Sequence, residues 1–415
     1  MRGLTELIGV KDLSNDKEFE KFEEFIEVLK RDLKDIIEYV KENEDVFLGI
    51  RENYINLYVD GGCILKLDIR KRKDGYTYKA SFDEKYYNDN EKMKQMIKNI
   101  DNQDIKKWIE LLPTFKQRVK EYQRGKCKKN NGKNVKTNKE KILQQQLLFA
   151  FNQNSNYFAY DIEYAIKSAQ YRLEDLEGNP IKSPITAGRA DILLISIPDE
   201  NNEITIYSME VKQGTGALGG VSDQKEATDK NGKKVDKRTF GSGIAGHLKN
   251  NVKIIKAVRS GKPYDGIKQI PLRENILQEI KAIMLIYDKL GLISNPHFRN
   301  VDWKNIKLKN GNKAMELVFF LGDYKKSCPS FENYLGINCP GEAKYSVRKL
   351  LLDSKEKRKL KDYNLDLKFM TYDEMIDDFK VWKTDTCYDK KINSADLDIE
   401  NYKIIKKESF KVNDW

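Results

Sequence analysis

Two short strings place charge where the surrounding chain is strongly apolar: Gly188-Arg-Ala-Asp191 and Glu210-Val-Lys212. The runs that carry them, Ala190 to Ile197 and Ile204 to Lys212, flank Pro-Asp-Glu-Asn-Asn-Glu and read as two strands of a hairpin. An even-length loop centred between Glu200 and Asn201 sets Ile197 opposite Ile204, and the same register sets Asp191 opposite Glu210. Lys212, two residues on, shares their face. Opposed carboxylates on paired strands repel, and at the end of a buried apolar hairpin they lack water to soften the repulsion. A positive charge is therefore expected between them, with a divalent cation and a lysine as the candidates. A hard ion held by few carboxylates beside an ammonium suits phosphoester hydrolysis.

An acidic residue entering one strand, followed by Glu-x-Lys on the next, resembles the signature of the PD-(D/E)xK nuclease superfamily, the restriction-endonuclease-like fold. Ala190 stands at the position of the family's proline. The resemblance spans roughly residues 137 to 325. It implies phosphodiester hydrolysis with one or two Mg²⁺ ions, for which Mn²⁺ can substitute. Asp191, Glu210 and the Val211 carbonyl would ligate the metal, while Lys212 orients or helps to deprotonate a water and offsets charge growing on the phosphate.

Further site residues follow from the same resemblance. Asp161-Ile-Glu163-Tyr looks like the acidic first strand of bacterial members, which makes Glu163 the fourth catalytic candidate; an outward-facing strand carboxylate is the competing reading. Glu140 matches a first-helix glutamate that faces the metal, yet Thr137-Asn138-Lys139-Glu140 is also a capping box in which Glu140 only bonds backbone. The superfamily lines its nucleic-acid groove with the helix after Glu-x-Lys. Here Gly241-Ser-Gly opens a helix to about Ser260, with Lys249, Lys253 and Lys256 opposite its apolar side and His247 one turn in, available to hydrogen-bond substrate. Acid-x-Lys alone carries little weight, since Glu279-Ile-Lys281 and Glu342-Ala-Lys344 match it too; the hairpin context singles out Glu210-Val-Lys212.

Composition narrows the field. A net charge of +11 over 415 residues fits a polyanionic partner, and equally a solvated basic surface. Five cysteines without Cys-x-x-Cys spacing support neither a disulfide framework nor a zinc knuckle. Two histidines, His247 and His297, exclude His-rich metal sites, so hydrolysis must rest on carboxylates and lysine. The start lacks the apolar core of a signal peptide, and no apolar window approaches the ~18 residues of a membrane span, so a cytoplasmic protein is expected.

The elements that must position these residues read as an α/β chain in four parts. Residues 1–124 form an α+β N-terminal domain: an amphipathic helix over 15–43 capped by Asn15 with Glu18, a three-stranded meander (54–59, 63–69, 76–82), and helices over 91–123. Residues 125–139 are a basic linker. Residues 140–325 form the nuclease-like core, expected as an α/β/α sandwich on a mixed sheet: a helix over 140–151, a strand over 157–166, the hairpin, the helix from Gly241, and apolar strands at Ala282–Tyr287 and Met315–Leu321. Gly214 to Gly220 reads as a flap or surface loop and 221–240 as a polar excursion. In the C-terminal extension, 326–415, Leu365 to Trp382 reads as strand then helix and carries no expected chemistry.

The resulting expectation is a Mg²⁺-dependent nuclease acting on nucleic acid, DNA favoured, in bacterial restriction or anti-phage defence, as a homodimer or a partner subunit and without a membrane. The alternative is a catalytically latent nucleic-acid-binding module of a larger assembly. A small-nucleotide hydrolase is disfavoured because no base-recognition pocket is legible.

Overall fold

The computed structural model describes residues 7–51, 53–128, 132–167, 186–214, 227–228, 234–235, 251, 254–261, 272–323, 378–383, 392–394, 397–399 and 403–406. It combines helices with mixed sheet, as expected for the chain.

The N-terminal helix is two helices, α1 (Asp16–Asp32) and α2 (Lys34–Glu42), broken at Leu33, whose ψ of 20° leaves the helical region. Leu33 is itself buried, and the break lets the apolar stripes of both helices face one core. Asn15 caps α1 by accepting the Glu18 N–H, but the Glu18 carboxylate accepts from the Lys11 and Asp12 N–H groups, so only half of the expected capping box forms. The meander gains a leading strand: β1 (Phe47–Ile50), β2 (Tyr54–Val59), β3 (Gly62–Arg72) and β4 (Gly75–Ser81) pair antiparallel in sequence order. The short run Phe47-Leu-Gly-Ile, buried throughout, lacks the alternation that marks a strand with one wet face. Helices α3 (Glu91–Lys98), α4 (Ile105–Glu110) and α5 (Leu112–Gln123) follow, the first two capped by Asn90 and Asp104.

The core opens with α6 (Lys139–Asn154), then β5 (Tyr157–Lys167), β6 (Thr186–Ser196), β7 (Glu203–Ile204) and β8 (Ile206–Gln213). A two-residue pairing of β9 (Ala227–Thr228) with β10 (Lys234–Val235) lies within the polar excursion. Residues 251 and 254–260 are helical (α7); the first part of that predicted helix, with His247 and Lys249, lies outside the described residues, as does Lys253. Next come α8 (Leu272–Lys289), β11 (Lys307–Leu308), β12 (Met315–Gly322), β13 (Asp378–Lys383) and β14 (Lys403–Lys406). Six strands form one sheet in the order β14-β13-β12-β8-β6-β5. Its pairs β5/β6, β6/β8 and β13/β14 are antiparallel, and β8/β12 and β12/β13 are parallel.

Two expectations fail here. Ala282–Tyr287 is not a strand but the second half of α8. All six of its residues are buried, and a continuous apolar run has no period that separates strand from buried helix. Likewise the last residues of Leu365 to Trp382 are strand β13, not helix. Because β13 and β14 pair onward from β12, the sheet of the core continues past residue 325 into the C-terminal region.

The N-terminal domain is fastened to the core by buried polar contacts. Arg51, just beyond β1, places Nη1 2.5 Å from the Asp161 carboxylate of β5 and donates a second bond to the Ile162 carbonyl. Gln145 of α6 accepts the Gly61 N–H and donates to the Asp45 and Tyr58 carbonyls. Gly61 has φ +71°, and a Cβ there would fall 2.5 Å from the Lys141 carbonyl oxygen, so both backbone conformation and contact with α6 require glycine. Among the described residues no helix is long and apolar enough to cross a membrane.

Candidate active site

The hairpin register is the predicted one. Pairs from Ile192↔Met209 to Ile195↔Ile206 make up the β6/β8 ladder, and Ser196 donates to the Thr205 carbonyl one step further. The Asp199 side chain closes the turn by accepting the Asn201 and Glu203 N–H groups, and Asn202 takes φ 62°. Towards the other end the strands part. Before Ile192, β6 stays paired to β5 as far as Thr186↔Lys167, while β8 beyond Met209 pairs with β12 through Gln213↔Gly322. Asp191, Glu210 and Lys212 stand at this split.

Asp191 bridges the gap with its side chain: Oδ2 accepts the Val211 N–H at 2.8 Å, taking the place of a ladder carbonyl. Lys212 Nζ lies 3.6 Å from Asp191 Oδ2, 3.6 Å from Glu140 Oε1 and 4.0 Å from Glu210 Oε2. The aspartate does not point away, and both strand carboxylates reach the same nitrogen. Glu210 is fully buried and Lys212 nearly so, whereas the Glu140 side chain is 39% exposed. The cluster therefore meets solvent on the α6 side.

The structure does not form the capping box expected from Thr137. Asn138, not Thr137, is the N-cap of α6 and accepts the Lys141 N–H, and the Thr137 hydroxyl bonds the Arg124 carbonyl. Glu140 is left to face Lys212. Close packing of α6 on the sheet brings it there: a Cβ at Gly322 would sit 2.5 Å from the Leu143 side chain.

Burial disfavours charge on Lys212, but Asp191, Glu140 and Glu210 together outweigh that cost and hold its ammonium above the ordinary lysine value. Lys212 is thus, among these carboxylates, a donor and counter-charge at neutral pH. Among the described residues, three carboxylates gather around this one ammonium.

Two amides that the sequence reading passed over complete the site. Asn251 Nδ2 donates to Glu210 Oε1 at 2.8 Å, and Gln144, one turn after Glu140, donates to the Asp191 backbone carbonyl at 2.8 Å. The i, i+4 spacing of Glu140 and Gln144 is the one signal that could have exposed the second; nothing local marks Asn251.

Not every predicted residue joins. The Val211 carbonyl accepts from Lys212 Nζ at 2.9 Å. Asp161, from the same acidic strand as Glu163, is spent on Arg51. Glu163 occupies the strand position between Ile162↔Ile192 and Tyr164↔Ala190, across from Asp191; its side chain lies outside the described residues. Lys256 is exposed on α7. Among the described residues no three His, Cys, Asp or Glu side chains already form a metal cage. In donor type and sign the cluster still fits a hard divalent cation: oxygen ligands, excess negative charge and an open side.

No protein-family model, curated protein or solved structure matches this chain.

Proposed function

We propose that the chain is a metal-dependent nuclease of the PD-(D/E)xK type that hydrolyses phosphodiester bonds in nucleic acid, with DNA the favoured substrate. One observation carries the reading: Asp191, Glu210 and Glu140, from two strands and a helix, surround one buried lysine within 4.0 Å. Among the described residues, carboxylates gathered around a single ammonium at a notch with one exposed member form a donor set that a divalent cation would suit.

Asp191 and Glu210 would hold Mg²⁺ or Mn²⁺, with Glu140, and Glu163 across β5, as further carboxylates. Such a cation, when bound, supplies Lewis acidity at the phosphate and lowers the pKa of water. The chain's own residues do the rest. Asn251 fixes the rotamer of Glu210, and Gln144 ties the backbone at Asp191 to α6. Lys212 presents an ammonium to the charge that grows on the phosphate as the bond breaks. The formal charge of +11 suits a polyanion, and Lys249, Lys253, Lys256 and His247 are the proposed contacts along the helix after β8. A place in bacterial restriction or anti-phage defence, as a homodimer or with a partner subunit in the cytoplasm, rests on fold-level analogy.

The test incubates purified wild type and Lys212→Ala with supercoiled, linear and single-stranded DNA and with RNA, in Mg²⁺, Mn²⁺ or EDTA. Cleavage by wild type that needs the metal and disappears in the variant is expected. One observation favours a second reading, a latent nucleic-acid-binding module: Lys212 Nζ sits in the middle of the cluster and occupies the Val211 carbonyl. Binding without cutting under every condition would select it.

A further inference from the structure

A cavity of about 450 Å³ lies where the N-terminal domain meets the core, on surfaces the proposed chemistry does not use. One wall comes from α2 and β1, through Val40 to Leu48; the other comes from α6, β5, the end of α8 and the loop after it. Junctions of this kind and size are where small-molecule sites concentrate. Its interior is aromatic. Tyr287 meets Phe47 edge-on, with centroids 6.5 Å apart, and Phe158 at 6.2 Å, while Phe149 is only partly buried and offers free ring surface to the cavity. Such ring clusters bind flat aromatic groups by stacking and edge contacts.

The polar groups divide into spent and available. Asn152 is committed to both the N–H and the carbonyl of Ala159, and Asn43 joins Lys116 to the Tyr39 carbonyl. At the rim stand Lys41, Arg299 and Glu44, two cations against one carboxylate. Arg299 is preorganised: Nε and Nη2 donate to the Ile293 and Ser294 carbonyls and fix the guanidinium at the exposed rim. Lys41 extends over Gly291, where a Cβ would lie 3.2 Å from Nζ at a φ of +68°. An aromatic floor beneath a net positive rim recognises a ligand with a flat apolar end and an anionic end.

We infer that this interdomain cavity is a binding site for a planar aromatic anion of mononucleotide size, its ring against the partly buried Phe149 and its anionic group at Lys41 and Arg299. The same helix carries Phe149 near one end and Glu140 near the other, about 14 Å apart along the axis. Ligand binding is thereby placed to adjust α6 against the notch. That consequence rests on the nuclease reading; the binding itself does not.

Isothermal titration of the full chain in EDTA, with AMP, adenosine and inorganic phosphate as probes, tests it without any metal. AMP is expected to bind at least about tenfold more tightly than adenosine or phosphate, because only AMP engages both ends. Lys41→Glu, an exposed position that leaves the fold intact, should cost AMP about tenfold or more and leave adenosine unchanged, and Phe149→Arg should abolish binding of both. Glu210→Gln should bind AMP as wild type does, whether or not the protein cleaves nucleic acid. Absence of AMP binding to wild type, indifference of that binding to both cavity variants, or its loss in Glu210→Gln would each overturn the site. Should Phe149→Arg fail to fold, Arg299→Glu, also at the exposed rim, takes its place.

Discussion

Asp161 and Asp191 are both buried aspartates on neighbouring strands, and both contact a nearly buried cation, yet their surroundings differ in stoichiometry. Asp161 meets Arg51 at 2.5 Å, and the pair ties the N-terminal domain to β5. Asp191 shares Lys212 with Glu140 and Glu210. Among the described residues the first is one acid beside one base, a pairing that suffers when either partner is removed, whereas three carboxylates around one ammonium would tolerate losing a carboxylate or gaining a cation. Charge balance among the described residues, more than burial, separates the two aspartates.

The sharpest way to break that contrast is to neutralise one carboxylate in each place. Glu210→Gln keeps the shape and the Asn251 contact, so cleavage should fall by more than about 10³-fold while the thermal midpoint in EDTA stays level or rises. A drop in midpoint comparable to that of an Asp161 variant would show that the notch is an ordinary ion-pair network. Asp161→Asn should lower stability by about 3–5 kcal/mol in urea unfolding, because it strands the Arg51 guanidinium in the interior, and Arg51→Met with Asp161→Leu should recover most of the loss. If the double variant is no better than the single, the pair does more than balance charge.

Asn251→Ala removes the partner that orients Glu210 and should weaken Mg²⁺ or Mn²⁺ binding about 10–100-fold, with the fold retained by circular dichroism. Unchanged metal affinity would place Glu210 outside the ligand set. The smallest effect concerns alkaline pH. The folded-state pKa of Lys212 is raised, so its contribution is fully present below the ordinary lysine value of 10.5 and is lost as pH climbs through the higher folded value. Stability measured from pH 9 to above pH 10.5 should therefore decline more steeply for wild type than for Lys212→Met. Parallel curves would mean that the three carboxylates do not act on this lysine.

Sequence pattern reached some of these features and missed others for identifiable reasons. A symmetric turn fixed Asp191 across from Glu210, since an even-length loop centred between Glu200 and Asn201 sets every pair of the ladder. Ala282–Tyr287 lacked any such restraint, because α8 is apolar nearly all round where it packs between the β1 carbonyls and the core sheet; Tyr287 donates to Leu48 there. The capping-box pattern at Thr137 was a valid local option that lost to Asn138 one residue later, and Glu140 lies beside Lys212.

What the sequence determined by itself was local: which strands alternate, where they turn, and hence that two acids and a lysine share one face at the end of a hairpin. Strand period and turn chemistry operate within a few residues, so they can be read without the rest of the chain. Only the tertiary structure decided which acids matter. It parted β6 from β8 at Asp191, carried α6 in through Gly322 to add Glu140 and Gln144, brought Asn251 to Glu210 from forty-one residues away, and withdrew Asp161 to Arg51 of another domain. Charge balance is summed over whatever neighbours folding supplies, and no window of sequence contains those neighbours.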